Sequence, residues 1–179
     1  MNLFILDNDL EKCAQYHVDK HVVKMILEAA QLLCTAHWVT TTLGHTPRAV
    51  TREEKSSIVV TPEFYGLTHY NHPCAIWTRS SFENWAWTFN YALALNDEYS
   101  HRYGKSHKSI EVINRIPFPS IDGGLTPFAQ AMPDQYKNTD PVAAYRAYYV
   151  GEKSALFSWK NRDKPEWASV ALNGRAAFL

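Results

Sequence analysis

Residues 18–34 (VDKHVVKMILEAAQLLC) form a segment that is apolar around most of a helical circumference. A helix on the surface of a globular protein gives roughly half of its circumference to water. We therefore expect a helix from about Asp19 to His37 that packs against other elements on several sides. With 179 residues, the chain is long enough to supply a core of that kind within one domain.

Five polar residues interrupt this segment and its approach, at steps of four, three, four and three residues: His17, His21, Lys24, Glu28 and Gln31. On a helix this spacing stacks the side chains into one stripe. The stripe is compatible with an exposed seam that carries a Lys24–Glu28 ion pair. It is equally compatible with the floor of a pocket in which Glu28 works as an acid or base, with Asp19, Lys20, Lys24 and His21 as further catalytic candidates and with His17 and Gln31 binding substrate.

A third interpretation makes His17 and His21 metal ligands, because two histidines four residues apart can hold one ion. A further ligand would have to come from elsewhere, and Lys20 and Lys24 would repel a divalent cation. We therefore expect neither a metal nor another cofactor.

The remaining patterns predict a mainly α fold, a compact single-domain bundle of three to four long helices with long irregular loops that spans residues 1–179. His72 and Pro73 predict the start of a helix of about 30 residues that ends at Gly104. Asp140 and Pro141 predict the start of another. Residues 40–70 are rich in Thr, Gly and Pro and predict a long loop insertion with a short hairpin around residues 57–60.

A second polar cluster surrounds the predicted start of the helix at Pro73. Asn71 and His72 lie in a stiff turn that presents an amide and an imidazole together, which suits base reading or the positioning of a substrate oxygen. Trp77 and Arg79 follow within two turns. We predict that Asn71, Trp77 and Arg79 bind substrate and that His72 shares the catalytic work with His21 as a proton carrier, while an aromatic core helix is the structural alternative.

Charge is unevenly distributed although the formal net charge is zero. Residues 1–98 carry 7 Lys and Arg against 11 Asp and Glu, whereas residues 99–179 carry 11 against 7. Cations alternate with aromatic rings in the second half, a pattern typical of surfaces that bind nucleic acid. The predicted contacts to a DNA backbone are Arg102, Lys105, His107, Lys108, Arg146, Lys153, Lys160 and Arg162.

Three scattered cysteines, Cys13, Cys34 and Cys74, form no CxxC pair and predict reduced thiols. The N-terminus lacks the basic region of a signal peptide, and no run of 18 apolar residues predicts a membrane span. We expect a cytoplasmic protein. The sequence leaves the oligomeric state open.

Several motifs together resemble a group of small phage and bacterial proteins: DKHVVKMILEAAQLL, NHPCAIWTR, EYSHRYGKSHKS, TPFAQAMPDQYKNTDPVAAYRAYY and WKNRDKPEW. Bacterial members share a D-K-R-x-x-K-x-x-x-E-x-x-Q-x-L helix and an N-H-P-x-x-x-W turn, and they are grouped with pyrimidine-dimer DNA glycosylases of the phage endonuclease V kind. The resemblance implies a compact helical fold that grips duplex DNA, flips a nucleotide and acts at the base or sugar, and excision of a pyrimidine base by a glycosylase/lyase is the leading expectation.

One position departs from that family. Its well-understood enzyme uses an α-amine freed by methionine removal, whereas the bulk of Asn2 predicts that Met1 is retained here. A glycosylase built on this sequence is therefore expected to use Lys20, Lys24 or an activated water. Two alternatives stay open, namely a transferase that hypermodifies 5-hydroxymethyl-pyrimidine derivatives in phage DNA and a non-catalytic nucleic-acid-binding module.

Overall fold

The computed structural model describes residues 1–169 and shows a mainly α-helical bundle with long loops. The last ten residues of the predicted domain lie outside this range. The helices are α1 Leu10–Tyr16, α2 Asp19–Leu43, α3 Arg52–Ser57, α4 Pro73–Thr78, α5 Phe82–Tyr103, α6 Ser109–Ile113 and α7 Pro141–Lys153, and short 3₁₀ turns span Asp134–Tyr136 and Ser154–Leu156. The predicted fold class is confirmed.

Helix α2 forms the centre of the bundle and packs against α4, α5 and α6. Its apolar residues, such as Ile26 and Leu33, are fully buried, and each contributes about 1.5–3 kcal/mol by leaving water. The helix ends where Gly44 adopts a positive φ of 70° and donates its N–H to the Thr40 carbonyl. By length and composition alone α2 could cross a membrane, but 72% of its most apolar window is buried inside the fold, as expected of a core helix.

The N-terminal segment, residues 1–6, runs through the core beside α2. Leu3, Phe4, Ile5 and Leu6 are all buried. Asp9 then caps α1 by accepting the Lys12 N–H at 2.9 Å. The first residues of the chain are thereby fixed next to the polar face of α2.

The predicted helix of about 30 residues after Pro73 is two helices, α4 and α5. The break follows Arg79, where Ser81 adopts an extended conformation and caps α5 by accepting the Asn84 N–H. A serine in this position competes for backbone hydrogen bonds and favours a new helix start over continuation. Both predicted ends are confirmed, because His72 caps α4 and Gly104 ends α5.

The predicted hairpin in the loop insertion is wrong. Residues 52–57 form α3 instead, which begins with a capping box between Thr51 and Glu54, and no strand occurs among residues 1–169. The loop is held mainly by side-chain contacts to its backbone. Asn71, for example, donates to the Val50 carbonyl at 2.8 Å and accepts the Val50 N–H at 2.7 Å.

The three cysteines are free, buried thiols, as expected from their spacing. Burial raises the pKa of each thiol to about 11, so all three remain protonated at neutral pH. They act as small apolar groups of the core.

Candidate active site

Part of the polar stripe of α2 opens into a cavity of about 200 Å³. The N-terminal segment, α2 and α7 enclose this cavity together with the chain around residue 131. Its lining residues are Met1, Asn2, Phe4, His21, Lys24, Met25, Glu28, Ala131, Tyr148 and Lys153. The structure therefore brings together His21, Lys24 and Glu28, three of the six predicted catalytic residues.

Glu28 is the carboxylate of this cavity and only 7% of its surface is exposed. Its Oε2 atom accepts the Asn2 backbone N–H at 2.9 Å and lies 3.7 Å from the α-amine of Met1. Its Oε1 atom lies 3.2 Å from Nζ of Lys24, whose side chain is 65% exposed at the rim. Two amines thus flank one shielded carboxylate. The stripe carries the Lys24–Glu28 ion pair of the exposed-seam interpretation, and it also lines a pocket as the second interpretation predicts.

His21 forms the wall opposite these charges. Its Nδ1 atom lies 2.5 Å from the Tyr149 hydroxyl, and its ring stacks on Phe4 at a centroid distance of 4.8 Å. Burial, followed by the positive charges of Lys153 and Lys24, lowers the pKa of His21 to about 4, while Glu28 acts in the opposite direction. The imidazole is therefore uncharged at neutral pH.

His72 lies outside the lining but close enough to feel its charges. Burial first, then the charge of the Met1 α-amine and that of His69, lowers the pKa of His72, and Glu28 opposes them. The Nδ1 atom of His72 caps α4 at 3.2 Å from the Cys74 N–H. The neighbouring Asn71 side chain is occupied by Val50, so the structure assigns Asn71 to loop closure instead of substrate binding.

The five side chains of the stripe do not all line the cavity, because His17 and Gln31 lie elsewhere. His17 is fully buried, with Nδ1 2.7 Å from the Cys13 carbonyl and Nε2 2.9 Å from the Tyr91 hydroxyl. Both ring nitrogens are thus engaged, which excludes substrate binding and a metal shared with His21. Gln31 is partly exposed and does not line the cavity.

Asp19 and Lys20 are also outside the cavity lining. Asp19 joins the C-terminal part of the chain to α2 by accepting from the Ser158 hydroxyl and the Lys160 N–H, and it pairs with Arg102 at 2.8 Å. These contacts lower the pKa of Asp19 although burial opposes them. Lys20 is exposed one turn before Lys24. The structure therefore corrects the catalytic assignment of Asp19 to a structural one.

Two predicted substrate-binding residues of the second cluster are core residues. Trp77 is buried against Trp87 and Phe128. The Arg79 guanidinium is completely buried and donates to the carbonyls of Thr46, Arg48 and Tyr70 at 2.6–2.8 Å. Burial lowers the pKa of Arg79 to about 10. Their predicted role in substrate binding is wrong because neither side chain reaches a surface that a ligand could approach.

The predicted DNA-backbone contacts divide into paired and open residues. Arg102 is fully buried between Glu98 and Asp19, Arg162 pairs with Glu98, and Arg146 pairs with Asp7 and the Leu6 carbonyl. The Arg102 prediction is therefore wrong, while Arg146 and Arg162 keep about 30% of their side chains exposed. The remaining predicted contacts keep some or full exposure: Lys105, His107, Lys108, Lys153 and Lys160.

The sequence did not predict that the N-terminal segment contributes to the cavity. Met1, Asn2 and Phe4 line the cavity although 20 or more residues separate each of them from Lys24 or Glu28. Lys153 and Tyr148 on α7 were identified only as parts of a basic, aromatic surface. Of residues 1–169, no three His, Cys, Asp or Glu side chains are grouped in a way that could hold a metal ion.

A larger hollow of about 390 Å³ lies between α1, α5 and Arg162, where Glu11, Asp97 and Glu98 supply carboxylates. It is lined by a guanidinium but by no primary amine or imidazole of the described residues. The smaller cavity at Glu28 is thus the stronger candidate for chemistry. Comparisons with protein-family models, with curated proteins and with solved structures find no match to this chain.

Proposed function

We propose that this protein is an enzyme that acts on a flipped pyrimidine nucleotide in DNA and excises its base in the manner of a glycosylase/lyase. The observation that carries the proposal is the shielded Glu28 carboxylate between two amines in a cavity that is open to solvent. An attack by an amine on a sugar carbon requires at least the amine and a nearby group, such as a carboxylate, that accepts its proton.

The reaction would proceed by covalent catalysis. An unprotonated amine forms a bond to C1′ of the sugar while the bond from C1′ to the base breaks, and its electron pair leaves with the base. Glu28 accepts a proton that the attacking nitrogen loses and passes it to the ring oxygen O4′ as the C1′–O4′ bond breaks and the sugar opens to a protonated imine. The released base anion takes its proton from water. Water then releases the sugar and regenerates the amine.

The size and charge of the cavity agree with a nucleotide. At about 200 Å³ it is smaller than the usual site for a drug-sized ligand and suits one base or one sugar. Lys24 and Lys153 line it, and Lys20 is exposed one turn away on α2. These cations are placed to meet the phosphates on either side of a flipped nucleotide.

Borohydride trapping tests the proposal. The protein is incubated with duplexes that carry thymine, a thymine dimer, 5-hydroxymethyluracil or an abasic site, and sodium borohydride is added. We expect a covalent protein–DNA adduct with at least one duplex, because borohydride reduces an imine to a stable amine. Glu28→Gln should lower the adduct yield by about 100-fold or more, whereas Glu111→Gln, at an exposed position of α6, should not.

Peptide mapping of the adduct identifies the attacking amine. Lys24→Met abolishes the adduct if Lys24 is the nucleophile, and Lys12→Met at an exposed position of α1 serves as the matched control. An adduct that survives in Lys24→Met and maps to the first peptide identifies the α-amine of Met1. The intact mass of the purified protein establishes beforehand whether Met1 is present.

Two other results would replace the proposal. A changed base mass without an adduct would identify the hypermodification of a pyrimidine, which the sequence leaves as an alternative. Salt-sensitive DNA binding with neither product would identify a non-catalytic binding module.

A further inference from the structure

The imidazole of His21 is fixed in orientation by two neighbours, through three contacts. Phe4 stacks on one face with an interplanar angle of 9°, and Tyr149 packs edge-on at a centroid distance of 5.2 Å. The Tyr149 hydroxyl meets Nδ1 at 2.5 Å. Rotation of the ring would break the stack and this hydrogen bond, so the position of Nε2 is fixed as well.

The direction of the hydrogen bond follows from the surroundings of Tyr149. Its hydroxyl is fully buried, and burial raises its pKa well above 10, so it keeps its proton. Among residues 1–169, His21 Nδ1 is the one acceptor within reach, and a buried hydroxyl proton without an acceptor would cost about 1–3 kcal/mol. Tyr149 therefore donates to Nδ1.

A neutral imidazole that accepts at Nδ1 carries its proton at Nε2. The charged and titratable groups that face His21 are His17 at the end of α1, Lys24 and Glu28 on α2, Tyr148, Tyr149 and Lys153 on α7, and the α-amine of Met1 in the N-terminal segment. The two lysines oppose a second proton more than Glu28 favours it. Within the described part of the chain, Nε2 has no hydrogen-bond partner, and it is not sealed from solvent.

We propose that His21 is a fixed, uncharged hydrogen-bond donor whose Nε2–H binds a carbonyl oxygen of the pyrimidine that enters the cavity. This inference rests on the proposed function. It replaces the predicted role of His21 as a proton carrier, because a ring that does not charge between pH 5 and 8 cannot shuttle protons there. A pyrimidine carbonyl gains negative charge as the bond to C1′ breaks, and a fixed donor stabilises that charge without reorganisation.

The free protein gives the first test, which needs no DNA. Long-range proton–nitrogen NMR spectra of ¹⁵N-histidine-labelled protein are recorded at pH values from about 5 to 8, with His21→Gln used to assign the signals. We expect His21 to show an unprotonated Nδ1 and a protonated Nε2 at every pH. Tyr149→Phe should give a mixture of both tautomers. A wild-type His21 that titrates near its ordinary pKa, or that carries its proton on Nδ1, would overturn the proposal.

Ligand binding gives the second test, with thymidine 5′-monophosphate and inorganic phosphate as probes. We expect the Nε2–H proton of His21 to shift with the nucleotide and not with phosphate. Shifts at Lys24 and Phe4 without one at His21 would refute the donor role and leave the proposed site intact. No shift of any cavity residue with the nucleotide would count against the proposed function itself.

Trapping yields give the third test and separate chemistry from structure. His21→Gln keeps an N–H donor, so its adduct yield should stay within about tenfold of the wild type, whereas His21→Leu should lose about 10- to 100-fold. The yield of His21→Leu relative to wild type should be constant between about pH 5.5 and 7.5, since no proton on His21 is exchanged in this range. Equal losses in both variants would show that His21 is needed only for packing.

Discussion

Two buried glutamates in this molecule have contrasting surroundings. Glu98 on α5 is 3% exposed, and both of its oxygens are bound by guanidinium groups, with Arg102 at 2.6 Å and Arg162 at 2.9–3.1 Å. Glu28 on α2 is about equally buried, but its cations are amines at 3.2 and 3.7 Å beside an open cavity. A carboxylate that is fully bound within the protein has a structural role, whereas one with loosely held amines remains available for a ligand.

The largest expected effect is the loss of the buried guanidinium. Arg102→Leu leaves Glu98 and Asp19 without their shared partner, and we expect the free energy of unfolding to fall by about 3–5 kcal/mol. Urea unfolding measures this change. Lys105→Leu, an exposed position just after α5, should change stability by less than about 0.5 kcal/mol. Equal effects in both variants would show that the ion pairs around Glu98 do not have the structural role assigned to them.

The next largest effect is on the pH dependence of stability and concerns the buried His17. Burial lowers the pKa of His17 to about 3 in the folded protein. Below about pH 6.5 the unfolded chain therefore binds a proton at this position, whereas the folded protein does not. Stability is therefore lost as pH falls from 6.5 towards 3, with a slope of about 1.4 kcal/mol per pH unit from this group. His17→Gln should remove that slope, as measured by urea unfolding between pH 4.5 and 6.5 (roughly the range in which the other carboxylates stay ionised).

Tyr91→Phe provides the matched control because it removes the hydrogen-bond partner of His17 and keeps the imidazole. Its stability should drop at all pH values while the slope persists. A slope that is unchanged in His17→Gln would mean that other groups cause the acid sensitivity.

A smaller effect on stability is expected at Glu28. Glu28→Gln keeps an oxygen that can accept the Asn2 N–H and loses only the attraction of two amines, one of which is largely exposed. We expect a loss of about 1 kcal/mol in thermal unfolding, together with the large loss of trapping described above. A loss as large as that of Arg102→Leu would make Glu28 a structural residue like Glu98.

The smallest effect is expected at Lys20, which is exposed one turn away from the cavity residue Lys24. Lys20→Ala should leave stability within about 0.5 kcal/mol of the wild type and weaken DNA binding uniformly across sequences. The slope of log affinity against log salt should become shallower by about one unit, as measured by fluorescence anisotropy. Lys12→Ala on α1 is the control, and an identical change there would locate the DNA surface elsewhere.

The sequence predicted the helices better than it predicted the partners of their side chains. Apolar periodicity and the caps at His72, Gly104 and Asp140 are local signals, and each cap marks a helix boundary in the structure. The interruption after Arg79 was missed because a serine within an otherwise helical pattern does not by itself distinguish a new helix start from continuation of the helix.

Side-chain partners depend on contacts between residues that are distant in the chain. Arg102 looked available for phosphate because Asp19, 83 residues away, cannot be recognised as its partner from spacing. His17 and His21 share one stripe, yet Tyr91 encloses the first and the N-terminal segment leaves the second open. Glu28, Lys24 and His21 were found because one helix carries all three, whereas Met1 and Asn2 reach them only through tertiary packing.

The hydrogen bond from the Asn2 backbone to Glu28 has a practical consequence for the preparation of this protein. An affinity tag or leader fused ahead of Met1 would turn the α-amine into an amide and remove its positive charge from the side of Glu28. In protein made in that way Glu28 would keep only Lys24 as a neighbouring cation, and a negative assay would describe the fusion alone. Recombinant material should therefore expose Met1 as an unmodified first residue before any activity is judged.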